Sequence, residues 1–264
     1  MTRALALALA AALVASAARA EDRPAALRDV AFTQRLGETV PLDVPFRDET
    51  GRTVTLRDYV GKPIVLVPAY YTCPMLCTLV LNGVVSALRA LPFDVGHEFT
   101  VITFSFDPHD GPEAAAAKRN TYLAEYRRPG AETGWHFLTG DAASVAALTT
   151  AIGFHATYDE TSKQYAHASG IVLLTTTGRV ARYFFGVEFA PRDLRLGLVE
   201  ASANQIGTVV DQLLLFCFHY DPVTGRYGRA ALNAVRTGGV LTVLAMGATI
   251  AWWLRRERAK GAVA

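Results

Sequence analysis

Ile64-Val65-Leu66-Val67-Pro68-Ala69-Tyr70-Tyr71-Thr72-Cys73-Pro74-Met75-Leu76-Cys77 is the stretch on which the reading of this chain turns. Residues 64–68 form a short, unrelieved apolar run rich in β-branched side chains, as expected of a strand covered on both faces. The run follows the chain breaker Gly61-Lys62-Pro63 and delivers the backbone to Cys73. From Pro74 a helix is read to about residue 91, with proline at a first helical position where its missing N–H does no harm. If the helix starts at Cys73, Cys73 and Cys77 stand four residues apart on one face, within reach of one ion or of each other. Free N–H groups and the dipole at a helix N-terminus favour anions, so the same placement predicts thiols of lowered pKa.

Outward from this unit, strand-like and helix-like segments alternate. Residues 40–46 read as a strand, 48–52 as a turn carrying Gly51, and 54–56 as the returning strand of a hairpin. Downstream come a strand over 99–106, helices over 113–126 and 141–153, a hairpin of 171–175 with 180–185 around Thr177-Gly178, and helical spacing over 193–216. The pattern predicts an α/β fold in one domain over residues 39–210. A chain of 264 residues with 51% hydrophobic side chains can bury one such core and has little left for a second. The formal net charge of +2, without clustered basic residues, excludes an electrostatic nucleic-acid surface. Three cysteines cannot build a disulfide framework, so each has to be judged by position and reactivity.

The two ends are apolar in different ways. Residues 1–20 have a short n-region with Arg3, an Ala/Leu/Val run, and Ala18-Arg19-Ala20 before the acidic Glu21-Asp22. That is a signal-peptide pattern with cleavage expected after Ala20. Residues 238–254 carry no charge and reach the lower length limit of a transmembrane helix. Trp252 and Trp253 fall where an interfacial belt lies, and Arg255, Arg256, Arg258 and Lys260 follow, so residues 255–264 are expected to be a cytoplasmic tail. Residues 211–237 then form a juxtamembrane connection, turn-rich over 220–228. Both signals place the main domain outside the cytoplasm, in the periplasm if the cell is a Gram-negative bacterium.

Ligand chemistry narrows the role of the thiols. Two thiolates suit Cu(I), and an added imidazole makes a three-ligand site that also holds Cu(II); zinc would normally take a fourth ligand. Among the six histidines, His167 is the best candidate, because Tyr165-Ala166-His167 reads as a loop just before the strand 171–174, and strand-end loops assemble sites. From spacing alone, a lone histidine is more often a structural residue. Cys217 and His219 could form an auxiliary metal-transfer pair, but an apolar run with one cysteine usually buries it. His109, His136 and His155 show no ligand spacing.

Val54-Thr55-Leu56, Gly61-Lys62-Pro63, Tyr71-Thr72-Cys73-Pro74-Met75-Leu76-Cys77, Phe104-Ser105-Phe106-Asp107-Pro108 and Tyr165-Ala166-His167 occur in an order that resembles the Sco (SCO/SenC) family of copper proteins, over residues 41–198. The resemblance implies a thioredoxin-like fold with an added hairpin, copper held by Cys73, Cys77 and His167, and a role as a metallochaperone for the copper centre of cytochrome c oxidase. It implies a copper-binding subunit of a respiratory oxidase as partner, and Asp107 near the site as a support or recognition residue. Thr78 stands where many members have proline, and Ala166 where an aspartate commonly precedes the histidine and would orient it. A C-terminal anchor in place of the usual N-terminal one suggests a divergent branch. The main alternative is a thiol-disulfide oxidoreductase that reduces the client's copper-ligating cysteines through a Cys73–Cys77 disulfide, although the thioredoxin motif has two intervening residues and this one three. A peroxiredoxin-like peroxidase fits less well, because Thr72 abuts Cys73 where that chemistry needs the threonine three residues earlier.

Overall fold

The computed structural model describes residues 30–73, 76–160, 162–206, 220–221, 226–227 and 229–261, with side chains at the C-terminal end for 237–253. Every residue of strand β3 (Ile64–Ala69) is buried, because β3 is the middle strand of a five-stranded sheet. In chain order the elements are β1 (Phe46–Arg47), β2 (Thr53–Val54), β3, α1 (Leu76–Arg89), β4 (Thr100–Ser105), α2 (Pro112–Tyr126), β5 (Trp135–Leu138), α3 (Ala142–Ala151), β6 (Ala156–Asp159), β7 (Gln164–His167), β8 (Gly170–Leu174), β9 (Val180–Phe185), α4 (Pro191–Ser202), β10 (Tyr220–Asp221), β11 (Arg226–Tyr227) and α5 (Arg229–Gly261). The sheet runs β5-β4-β3-β8-β9. β3, β4 and β5 are parallel, and β8 and β9 are antiparallel to their neighbours. Parallel neighbours need crossovers, which α1 and α2 supply.

The two faces of β3 feed two cores. Val65 and Val67 pack with Val80, Val84 and Leu88 of α1, Tyr122 and Tyr126 of α2, and Leu194 and Leu198 of α4. Ile64 and Leu66 point the other way, as a period of two requires, into a layer with Phe46, Leu56, Leu148 of α3 and both cysteines. A mixed sheet sandwiched in this way, with its thiols at the end of the central strand, is consistent with a thioredoxin-like arrangement.

The β1–β2 turn is held by Asp48, whose side chain is fully buried. Its Oδ1 accepts from the Thr50 N–H at 2.8 Å, the Thr50 hydroxyl at 2.6 Å and the Arg52 N–H at 3.0 Å; its Oδ2 pairs with the Arg52 guanidinium at 2.8 Å. Burial pushes its pKa up, yet the hydrogen bonds from Thr50 and Arg52 outweigh it and hold the carboxyl below the usual range. A depressed folded pKa contributes stability above the unfolded value that is lost as pH falls through the folded one. Asp48→Asn is therefore expected to destabilise by about 1–3 kcal/mol at neutral pH, with the gap to wild type closing below the carboxylate range. Urea unfolding at the two pH values checks this; a gap that does not change with pH would reject it.

Several expectations need correction. Cys73 itself is not helical; α1 is described from Leu76, and residues 74–75 lie outside the described residues. The strand expected over 40–46 shrinks to Phe46–Arg47, with Val40 joining the sheet edge only through its N–H to Gly178 O at 3.0 Å. Helical spacing over 193–216 becomes α4, and residues from 207 to 219, with Cys217 and His219, lie outside the described residues, as does the segment 1–20. The turn-rich stretch 220–228 contains the β10–β11 hairpin. Over 237–253 α5 is exposed throughout, including Leu241, Val243, Leu244 and Trp253. Among the described residues no helix is long and apolar enough to cross a membrane, and the run expected to span over 238–254 reaches past residue 253, the last whose side chain is described there.

Candidate metal centre

Where β3 ends, the chain is pinned before it reaches the first thiol. The Phe106 N–H donates to Ala69 O at 2.8 Å, and the Cys73 N–H closes a turn onto Tyr70 O at 3.2 Å. Tyr71, within that turn, is fastened at both ends. Its N–H donates to Asp110 Oδ2 at 2.6 Å, and its buried hydroxyl donates to Leu138 O at 2.7 Å, with Thr103 O at 3.1 Å. Asp110 also accepts from the Ser105 hydroxyl at 2.6 Å. Burial raises the Asp110 pKa above the usual value against these two hydrogen bonds.

The turn places Cys73 beside Cys77, and β7 brings His167 to both. The three ligand atoms lie within 4.8 Å of one another, and the residues are 7%, 1% and 8% exposed. Cys77 Sγ is 3.5 Å from His167 Nε2. Two backbone donors face the sulfurs: the Cys77 N–H donates to Cys73 Sγ at 3.3 Å, and the Tyr70 N–H to Cys77 Sγ at 3.4 Å. His167 Nδ1 donates to the Ala168 carbonyl at 2.9 Å, which fixes the tautomer with the Nε2 lone pair toward the thiols. The neighbouring carbonyl thus does the work that a carboxylate at position 166 would do, and Ala166 leaves the imidazole oriented. Tyr70, Phe106 and Phe154 wall the ring at centroid distances of 6.0, 5.0 and 6.1 Å.

Cys77 is not the low-pKa thiol that a helix start at Cys73 predicts. Cys77 is pushed up, first by its interaction with the neighbouring Cys73 thiol and then by burial. The backbone N–H of Cys77 serves the Cys73 sulfur, while the Cys77 sulfur sits in the core layer. A buried thiol whose ionisation is pushed up in this way is a poor free nucleophile. A cation that replaces the thiol protons removes the repulsion between the sulfurs. No disulfide joins Cys73 to Cys77.

His167 stands at the end of β7, paired with Ala156, and not on a loop. Asp107 does not touch the ligands. Its Oδ1 accepts from the His109 N–H at 3.0 Å and meets His109 Nδ1 at 2.8 Å, and Tyr165 reaches it at 3.5 Å. His136 lies 3.6 Å from Glu49, and His155 bonds Thr33 at 3.2 Å. Neither they nor His109 joins a second cluster among the described residues. Tyr70, Phe106, Phe154, Asp110 and Ala168 were not singled out from the sequence; only Tyr70, next to the strand end and three residues before Cys73, offered a positional cue.

A family model described as SCO1/SenC matches residues 36–195. No curated protein matches the chain. Among solved structures, a candidate electron transfer protein from Aquifex aeolicus VF5 is 27% identical with a TM-score of 0.58, covering 64% of this chain and 95% of that one. BsSco, described as a member of the Sco family of cytochrome c oxidase assembly proteins with a disulfide switch, is 22% identical with a TM-score of 0.51, covering 65% and 97%. Arabidopsis thaliana ScoI with copper bound is 16% identical with a TM-score of 0.50, covering 64% and 99%. The last two likenesses concern the fold.

Proposed function

This chain belongs to the SCO1/SenC family, and from that premise we propose that it is an extracytoplasmic copper metallochaperone serving the copper centre of a respiratory cytochrome c oxidase. The observation that carries the reading is the buried Cys73–Cys77–His167 cluster, with its ligand atoms inside 4.8 Å. Two sulfurs and one imidazole form a soft set that accepts Cu(I) through the thiolates and Cu(II) with the imidazole added. In this reading Cys73 and Cys77 hold the cargo, His167 completes the set, and the aromatic walls keep water from competing. The partner is a copper-binding oxidase subunit. The leader-like residues 1–20 support export, and the exposed apolar surface of α5, with the basic residues that follow Leu254 in sequence, supports attachment to a membrane.

The second reading, a thiol-disulfide oxidoreductase acting on the client's cysteines, draws on the adjacent thiols, which no disulfide joins, and on the disulfide switch described for BsSco. The raised pKa of Cys77 weighs against it, because exchange needs a thiolate.

Titration of the reduced full chain with Cu(I) and Cu(II) is expected to give one copper per chain in each state. In cells, deletion is expected to lower oxidase assembly, with partial restoration by added copper, since mass action can replace delivery. Restoration by an external thiol reductant and not by copper would overturn the chaperone reading in favour of the reductase.

A further inference from the structure

Two successive peptide groups at the end of β3 each hold a cysteine at one end and are themselves held at the other. In the peptide joining Ala69 to Tyr70, the carbonyl accepts the Phe106 N–H at 2.8 Å, and the N–H donates to Cys77 Sγ at 3.4 Å. In the next peptide, joining Tyr70 to Tyr71, the carbonyl accepts the Cys73 N–H at 3.2 Å, and the N–H donates to Asp110 Oδ2 at 2.6 Å. A trans peptide is planar, with its C=O and N–H on opposite sides, so fixing one end aims the other. Backbone aims the first of these peptides; a side chain aims the second. That side chain is itself fixed. Asp110 is 8% exposed, its Oδ2 also accepts from the Ser105 hydroxyl at 2.6 Å, and its own N–H closes a turn onto Asp107 O at 3.1 Å.

We infer that Asp110 is a positioning residue for the metal centre: its carboxylate sets the plane of the Tyr70–Tyr71 peptide, and that plane holds Cys73 beside Cys77. The inference rests on the copper reading above. A buried peptide N–H that loses its acceptor turns toward another one, and the rigid plane then carries the Tyr70 carbonyl away from the Cys73 N–H. Cys73 Sγ is thereby released from the Cys77 N–H, from which it accepts at 3.3 Å. Asparagine at position 110 keeps an acceptor oxygen of the same shape, whereas alanine removes the acceptor altogether.

The test compares the full chain as wild type, Asp110→Ala, Asp110→Asn and Asp48→Asn. Asp48 is a second buried carboxylate, whose bonds go to Thr50 and Arg52 in the β1–β2 turn, so its variant reports lost stability alone. Asp110→Ala is expected to lower affinity for Cu(I) and Cu(II) roughly tenfold, the scale of losing a group that orients a ligand, and to shift the sulfur-to-Cu(II) charge-transfer band. In the copper-free chain it should speed alkylation of Cys73 more than that of Cys77. Asp110→Asn and Asp48→Asn should both stay close to wild type in all three readouts. Ser105→Ala, which frees the carboxylate from one of its bonds, should move them in the direction of Asp110→Ala by less, and it supplies the answer if the alanine variant at 110 does not fold. An Asp110→Ala protein with wild-type affinity, band and Cys73 reactivity overturns the inference and leaves the copper reading standing. Equal changes in Asp48→Asn, or an Asp110→Asn protein as impaired as Asp110→Ala, do the same. Wild type that binds no copper overturns the copper reading itself and this inference with it.

Discussion

Cys77→Ser is expected to abolish tight binding of both Cu(I) and Cu(II), and Cys73→Ser to do the same. A hydroxyl is a hard, weakly acidic donor that cannot replace a thiolate on copper. The sulfurs also support each other's environment: the Cys77 N–H caps Cys73 Sγ at 3.3 Å, and Cys77 Sγ faces His167 Nε2 at 3.5 Å. Affinity should fall by more than about 100-fold, beyond the effect of losing a group that only orients a ligand. His167→Ala should separate the two oxidation states, weakening Cu(II) well below wild type while Cu(I) keeps its two thiolates. Competition titrations with chelators specific for each state measure this. Unchanged Cu(II) affinity in His167→Ala would remove the imidazole from the site and favour a thiol-exchange role.

The largest effect on stability is expected at a distance from the thiols. Trp135, on β5, is fully buried in the core between the sheet and α2, and its indole N–H donates to Thr103 Oγ1 at 3.0 Å. It packs against Phe137 at 5.7 Å, Tyr126 at 6.1 Å and Tyr122 at 6.3 Å. Trp135→Ala leaves a large cavity and an unpartnered hydroxyl, and should cost about 3–5 kcal/mol. Urea or thermal unfolding reads it directly. A loss below about 1 kcal/mol would show that α2 collapses onto β5 more readily than a close-packed core permits. Because Thr103 and Leu138 also receive the Tyr71 hydroxyl, the same variant should loosen the turn that carries Cys73.

The strand-to-helix unit that bears the cysteines was legible because several signals coincide there: an apolar run that only a central strand can bury, a breaker before it, and proline after it. Helix α2 was legible to within a residue at its start, and β9 over its full extent. The structure departs from the sequence reading where local pattern is weak. β5 is four residues long, and Trp135-His136-Phe137-Leu138 has neither alternation nor a long apolar run, so only its parallel pairing with β4 defines it. The β6–β7 hairpin pairs polar and aromatic residues such as Tyr158 with Tyr165, a pattern that reads as loop until the cross-strand partners are known. His167 was chosen as a ligand with the help of resemblance, since nothing in its own spacing links it to Cys77. Its orientation by the Ala168 carbonyl was not readable at all, because every residue has a carbonyl and only tertiary structure decides where it points. The sign of the Cys77 pKa shift likewise escaped, because the burial of its sulfur beside Cys73 is a tertiary fact.

The distance along the chain between Cys77 and His167, 90 residues, has a thermodynamic meaning. In the unfolded chain the two cysteines remain neighbours, but the imidazole is lost to them, so the complete ligand set exists in the folded state alone. An ion bound there ties the central strand-and-helix unit to the β6–β7 hairpin, and its binding energy becomes folding energy. At a free copper level a hundred times the dissociation constant, the gain is about 2.7 kcal/mol. Loaded protein is then the more stable and more protease-resistant form, and handing the ion to an acceptor returns the chain to its softer state. Protein turnover in the cell would in that way follow copper supply, with no separate sensor required.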